Sequence, residues 1–217
     1  MYNQQPETSN QQPLNLDEMQ IKASTITNLT DARYFAAKEV DFLGFNLEEG
    51  TDGYLEPIYM KAIREWVEGP KIVGEFDRTP ARTVLEAAAF YELDAMQVSQ
   101  AEDLHLLDGL EIIFYLKADT DLAALEARLR ELAPLVSYFL LDFSENDQAA
   151  KLLREQAADW KTLFQNYPVL LDINLAADAL ADLLQLLQPA GLALRGGEEE
   201  RVGVKSYDAI DAIFESM

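Results

Sequence analysis

The chain has 217 residues, 49% of them hydrophobic, and a formal net charge of −22. That apolar content is enough for one sizeable core, and the negative charge repels polyanions at long range, which argues against nucleic acid as a partner. The chain contains no Cys, which is compatible with a reducing compartment.

In chain order, the first 17 residues, MYNQQPETSNQQPLNLD, are Gln/Asn/Pro-rich and nearly devoid of large apolar side chains. They read as a disordered arm over 1–17, ahead of a folded unit over 18–217. The arm carries no apolar signal core, and no later run approaches ~20 consecutive apolar residues. A soluble, cytoplasmic protein with no membrane partner is the expectation.

A βαβ unit follows. Residues 20–25 form a short apolar run, the next segment sets Leu29, Ala32, Phe35, Ala36 and Val40 at helical spacing, and 42–47 is again strand-like. The alternation continues with strands over 72–76, 95–99, 112–117, 137–143, 169–173 and 192–195. Helical patterns cover 29–38, 57–68, 81–91, 101–107, 122–132, 147–164, 177–187 and 207–215. About eight strand–helix units in one chain of this length predict an α/β fold, a single (β/α)8 TIM barrel, with chemistry at the C-terminal ends of the strands. An open doubly wound sheet would offer a Gly-rich first turn, whereas here that turn is Ser24-Thr25-Ile26-Thr27-Asn28. Acidic residues such as Glu126, Glu131, Asp178 and Asp182 fall on helix faces and read as solvated surface.

Six short motifs occur in order on these elements. Lys22 to Thr27 with Asn28, Asp31 and Ala32 resembles K-I-C-G-[IL]-T followed by N-x-x-D-A, and Val40 to Phe45 resembles A-D-x-[LI]-G-F. Lys71 to Phe76 resembles K-x-V-G-V-F, Leu93 to Val98 resembles L-D-x-V-Q-L, Tyr138 to Asp142 resembles Y-L-L-D, and Gly203-Val204-Lys205 resembles G-V-K. Together, over about residues 20–215, they resemble the phosphoribosylanthranilate isomerase family of tryptophan biosynthesis. The resemblance implies an Amadori rearrangement without a cofactor or metal, in which the ribose ring opens with proton donation and a proton then leaves the sugar carbon next to the imine.

That chemistry needs an acid and a base. The resemblance places the acid, an aspartate on the sixth strand, at Asp142, and the base, a first-strand cysteine, at Ser24. A thiol of pKa about 8.5 is readily ionised in a suitable site, whereas a serine hydroxyl is a poor base without a partner to take its proton. The sole histidine, His105, lies among Leu104, Leu106 and Leu107 and reads as helix surface. Lys22, Gln97, Arg195, Gly196 and Gly197 are the expected substrate-binding residues, for a phosphorylated small molecule. Even so, the seventh-strand L-A-G-G-L corresponds to Leu171-Asp172-Ile173-Asn174-Leu175, which loses both glycines of a phosphate cradle and gains a carboxylate. The eighth-strand D-V-S-S-G corresponds to Ala193-Leu194-Arg195-Gly196-Gly197, where Arg195 offers a replacement positive charge. The S-P-R-Y-V loop corresponds to Thr51 to Leu55 without its arginine, and the G-G-T-G loop after the sixth strand has no counterpart in Phe143 to Asp147.

Three functional readings follow from these departures. In the first, the chain is a diverged barrel of this family that has lost the isomerase reaction and serves as a binding or interaction protein. In the second it is a working isomerase with Ser24 tolerated. In the third it is another barrel enzyme, with Glu48, Asp77, Asp142 and Asp172 holding a hard cation or Lys117 forming a Schiff base.

Overall fold

A computed structural model describes residues 19–118, 121–196, 198–201 and 204–217. The arm expected over 1–17 lies outside the described residues. Eight parallel strands close into a barrel: β1 (Gln20–Ser24), β2 (Phe42–Asn46), β3 (Lys71–Phe76), β4 (Ala95–Val98), β5 (Glu111–Lys117), β6 (Tyr138–Asp142), β7 (Val169–Asp172) and β8 (Gly191–Arg195). Closure is made by β1 against β8, in register from Gln20 opposite Gly191 to Ser24 opposite Arg195. Among the described residues no helix is long and apolar enough to cross a membrane.

The helices are α1 (Leu29–Ala37), α2 (Pro57–Arg64), α3 (Ala81–Tyr91), α4 (Leu122–Leu132), α5 (Ala149–Glu155), α6 (Ala157–Asn166), α7 (Ala177–Leu187) and α8 (Asp208–Ser216). Local chemistry sets their ends. Asn28 caps α1 by accepting from the Asp31 N–H, Asp121 caps α4 through the N–H groups of Ala123 and Ala124, and Pro57 opens α2. The segment 147–164, expected as one helix, is two, because Gln156 leaves helical geometry at φ −116°, ψ 32°. The helix expected over 101–107 contracts to a 3-10 turn, Leu104–Leu107, behind a left-handed Asp103. A hairpin of β9 (Glu198–Arg201) and β10 (Val204–Ser206) follows β8. Its polar sequence carried no apolar alternation by which to foresee it.

Two apolar layers hold the barrel. One lies between strands and helices and includes Phe35, Phe45, Met96, Phe139 and Trp160. The other fills the barrel interior with Phe42, Val73, Ala95, Ile113, Leu140, Leu170 and Ala193. Side chains alternate along a strand with a period of two, so counting upward by twos from the inner layer gives Asn46, Glu75, Gln97, Tyr115, Asp142, Asp172 and Arg195. The same parity on β1 gives Lys22 and Ser24. The apolar floor thus decides which polar side chains face the barrel mouth.

Candidate functional site

A cavity of about 260 Å³ opens at the C-terminal ends of the strands. On its β1–β3 side, the Ser24 hydroxyl accepts a hydrogen bond from Lys22 Nζ at 2.8 Å, and Lys22 is also ion-paired with Glu75. Lys22 is fully buried and Glu75 nearly so. Burying such a pair requires further hydrogen bonds to satisfy it, and these come from Thr25, whose N–H and hydroxyl each reach Glu75 Oε2 at 3.1 Å. Thr25 adopts a left-handed φ of 53° to do so, a conformation an L-residue holds only when its surroundings fix it. Gly44, directly across, provides the room: a Cβ there would stand 2.7 Å from Lys22 Nζ and would collide with the Glu75 carboxylate.

On the β5–β8 side, both oxygens of Asp142 are occupied. Its Oδ1 accepts from the Ser144 N–H at 2.8 Å and the Ser144 hydroxyl at 2.6 Å, and Oδ2 accepts from the Tyr115 hydroxyl at 2.7 Å. Arg195 Nη2 lies 3.5 Å from Asp142 Oδ2 and 3.0 Å from Asp172 Oδ2. Burial pushes the Asp142 carboxyl up, but the Ser144 and Tyr115 hydrogen bonds and the Arg195 charge outweigh it and hold the group below its ordinary value. Asp172 goes the other way, because burial outweighs Arg195 and the nearby Asp142 charge adds to it.

The remaining expected residues are placed as follows. Gln97 lines the cavity, and its carboxamide oxygen is buried without a hydrogen-bond partner. Gly196 is not among the residues lining the cavity, and Asp31 Oδ2 would lie 2.6 Å from a Cβ at that position. Gly197, with Gly203, lies outside the described residues. Arg195 reaches the cavity but bonds carboxylates there. His105 is exposed on its 3-10 turn. The cation and Schiff-base expectations meet two corrections. Among the described residues no three carboxylates converge on one point: Glu48 instead accepts from the N–H groups of Asp77 and Arg78, and Asp77 accepts from the Ser99 hydroxyl at 2.6 Å. Lys117 is exposed and paired with Glu145, which raises its pKa and keeps the amine protonated, so it is no ready nucleophile.

Glu75, Thr25, Tyr115, Asn46 and Ser99 were not expected in the site and all line the cavity. Counting by twos from the apolar inner layer would have found Asn46, Glu75 and Tyr115. Thr25 and Ser99 sit past the strand ends, where that parity gives no guide.

Comparison with known proteins agrees with this architecture. The model of the family described as N-(5'phosphoribosyl)anthranilate (PRA) isomerase matches residues 21–216. The N-(5'-phosphoribosyl)anthranilate isomerase of Maridesulfovibrio salexigens is 25% identical over 203 residues, covering 91% of this chain and 97% of that protein. The one from Chlorobium luteolum is 26% identical over 212 residues, covering 91% and 96%. Among solved structures, a phosphoribosyl anthranilate isomerase in complex with reduced 1-(o-carboxyphenylamino)-1-deoxyribulose 5-phosphate superposes with a TM-score of 0.70 at 20% identity, covering 91% of this chain and 97% of that one.

Proposed function

The chain belongs to the N-(5'-phosphoribosyl)anthranilate isomerase family, and we propose that it keeps the barrel mouth as a small-molecule binding site without the isomerase reaction. The observation that carries this reading is the state of Asp142. A general acid must hold a proton near the working pH, yet the Ser144 N–H, the Ser144 hydroxyl and the Tyr115 hydroxyl all donate to this carboxylate. Arg195 adds a positive charge beside it. The ionised form is the favoured one and its lone pairs are occupied.

Two further features support the same reading. Ser24 stands where the family resemblance implies a thiol base, and the group nearest to it is the Lys22 ammonium, a donor rather than a proton acceptor. Arg195, the cation next to the expected phosphate position, is directed at Asp172 and Asp142.

A second reading, an active isomerase acting on a phosphorylated small molecule, is favoured by the retention of a buried carboxylate at the tip of β6. The phosphorylated ligand bound to a relative of the same fold supports it as well. One assay separates the two: purified protein is mixed with freshly generated phosphoribosylanthranilate and the loss of anthranilate fluorescence is followed, with Asp142→Asn as the contamination control. The expected result is no turnover above the Asp142→Asn background. Turnover that disappears in that variant establishes the isomerase reading instead.

A further inference from the structure

Arg195 stands where an anionic ligand would be met, and it already holds an anion. It ends β8 on the wall of the mouth cavity, beside Asp172 at the end of β7, the two strand ends over which (β/α)8 barrels frequently seat a phosphate. Its Nη2 bonds Asp172 Oδ2 at 3.0 Å and lies 3.5 Å from both Asp142 Oδ2 and the Ser144 hydroxyl. All the bonds that Arg195 makes to described side chains run through this one nitrogen, of a guanidinium that carries five N–H donors.

The two partners differ in freedom. The Asp172 side chain is 8% exposed, and its backbone is fixed in the sheet between Asp142 and Ala193, with its carbonyl accepting from the Phe143 N–H at 2.7 Å. The Arg195 side chain is 55% exposed. An incoming anion therefore reaches the guanidinium without displacing the Asp172 backbone. If it draws Arg195 away, a nearly buried carboxylate loses its cation, which is costly. If it shares Arg195, three negative groups surround one positive charge. A proton on Asp172 relieves both conditions and turns an acceptor into an O–H donor for the ligand.

Of the two acids, Asp172 is the one suited to take that proton. Asp142 receives the Ser144 N–H, the Ser144 hydroxyl and the Tyr115 hydroxyl, all of which favour its charged form. Burial favours the neutral form of Asp172. The groups facing Asp172 are Arg195 from β8, Asp142 from β6, Lys22 from β1 and Tyr115 from β5. Lys22 is committed to Glu75 and Ser24, and burial and Asp142 keep the Tyr115 phenol neutral.

We propose that Asp172 is an internal stand-in for a ligand's phosphate: its carboxylate occupies Arg195 until a phosphorylated small molecule arrives, and that molecule binds together with a proton taken up by Asp172. The proposal rests on the binding-site reading above and names the ligand class and the regulation of that site. Because binding raises the proton affinity of Asp172, ligand affinity is highest at low pH, falls by up to tenfold per pH unit as the pH rises, and levels off once the bound state also loses the proton.

The test is calorimetric titration of the full chain with sodium sulfate, a tetrahedral dianion whose charge is constant between about pH 5.5 and 7.5, in buffers of differing ionisation enthalpy. Sulfate should bind roughly tenfold or more tightly at the lower pH, with net proton uptake. Asp172→Asn keeps a neutral acceptor for Arg195 and should bind sulfate at both pH values at least as tightly as the parent does at the lower one, without proton uptake. That variant retains the sole histidine, His105, so a pH dependence originating there would survive in it. Arg195→Met should abolish binding. Glu131→Gln, which removes an equal charge from the exposed end of α4, should leave the pH dependence in place. Sulfate affinity independent of pH in the parent, a pH dependence that persists in Asp172→Asn, or no saturable binding to either protein overturns the proposal. Turnover in the isomerase assay would instead overturn the loss-of-reaction reading and leave proton-linked anion binding standing, so the two failures are distinguishable.

Discussion

The guanidinium of Arg195, at the tip of β8, bonds the carboxylate of Asp172, at the tip of β7, at 3.0 Å. The same nitrogen lies 3.5 Å from Asp142 on β6, so one cation is shared by two nearly buried acids whose environments push them apart. Burial dominates at Asp172, while the donors around Asp142 prevail over its burial.

This asymmetry predicts opposite effects of two isosteric substitutions. Asp142 has a depressed folded value, so its contribution to stability is present above the ordinary carboxylate range and is lost as the pH falls through the folded value. Asp142→Asn should therefore lower stability at pH 7 by about 1–3 kcal/mol. Asp172 has a raised folded value, so ionising it penalises the folded state as the pH rises above 3.8. Asp172→Asn retains an acceptor for Arg195 and should leave the melting temperature at pH 7 unchanged or higher, with the gain fading toward pH 4. Differential scanning fluorimetry at both pH values checks this, and equal losses for both variants at pH 7 would refute it.

Gly44 marks the barrel's dependence on a buried ion pair. Gly44→Ala would place a methyl 2.7 Å from Lys22 Nζ and into the Glu75 carboxylate, separating two charges whose side chains are 0% and 7% exposed. Breaking a buried pair typically costs about 3–5 kcal/mol, so the urea midpoint should fall sharply. Glu75→Gln should cost a similar amount by leaving the Lys22 charge uncompensated, and Lys22→Met combined with Glu75→Gln should recover much of the loss. A midpoint for Gly44→Ala within error of the parent protein would mean that the pair tolerates displacement.

These two relationships also show what could be read from the chain before its fold. The eight-strand alternation was legible because each strand is an apolar run between turn signals, and Asp142 and Arg195 could be placed at strand tips from the same pattern. Glu75 stands between Gly74 and Phe76 in a strand pattern that gives it no signal of its own, and its role appears only when Lys22 and Gly44, on two other strands, meet it in the barrel interior. The break at Gln156 has no Gly or Pro in the helical pattern over 147–164 to announce it, and the hairpin after β8, although glycines flank it in the sequence, is built from charged residues without the apolar alternation that marks a strand. Gly196 is expected to serve a ligand from its place in a rim motif, and a Cβ there would lie 2.6 Å from Asp31 Oδ2.

Asp31 is buried, and it receives Lys205 Nζ at 2.5 Å, the Tyr207 hydroxyl at 2.5 Å and the Asn28 amide at 2.7 Å. These bonds fasten β10 and the start of α8 to α1. Gly196→Ala would bring a methyl to 3.0 Å from the Asp31 carboxyl carbon, and overpacking of this kind costs about 1–3 kcal/mol. The expected signature is faster amide exchange at Lys205, Ser206 and Tyr207 with little change in β3–β6. Uniform loss of protection across the barrel would instead show that the anchor belongs to the global unfolding unit.

Ser24→Cys creates the protein's single thiol, since the chain contains no other Cys, and so gives a direct probe of the mouth. The new sulfur would sit beside the Lys22 ammonium, which is 2.8 Å from the serine oxygen. A neighbouring cation lowers a thiol's pKa from about 8.5, but Glu75 is paired with the same ammonium and offsets part of its field. The pH midpoint of iodoacetamide alkylation should therefore lie only slightly below the ordinary value in Ser24→Cys, and roughly a unit lower once Glu75→Gln is added, because the Lys22 charge is then uncompensated. Circular dichroism on both proteins guards against a trivial loss of fold. Equal midpoints in the two backgrounds would mean that Lys22 does not govern this position. A gain of phosphoribosylanthranilate turnover by Ser24→Cys alone would mean that the missing base, and not the saturated Asp142, is what separates this barrel from an isomerase.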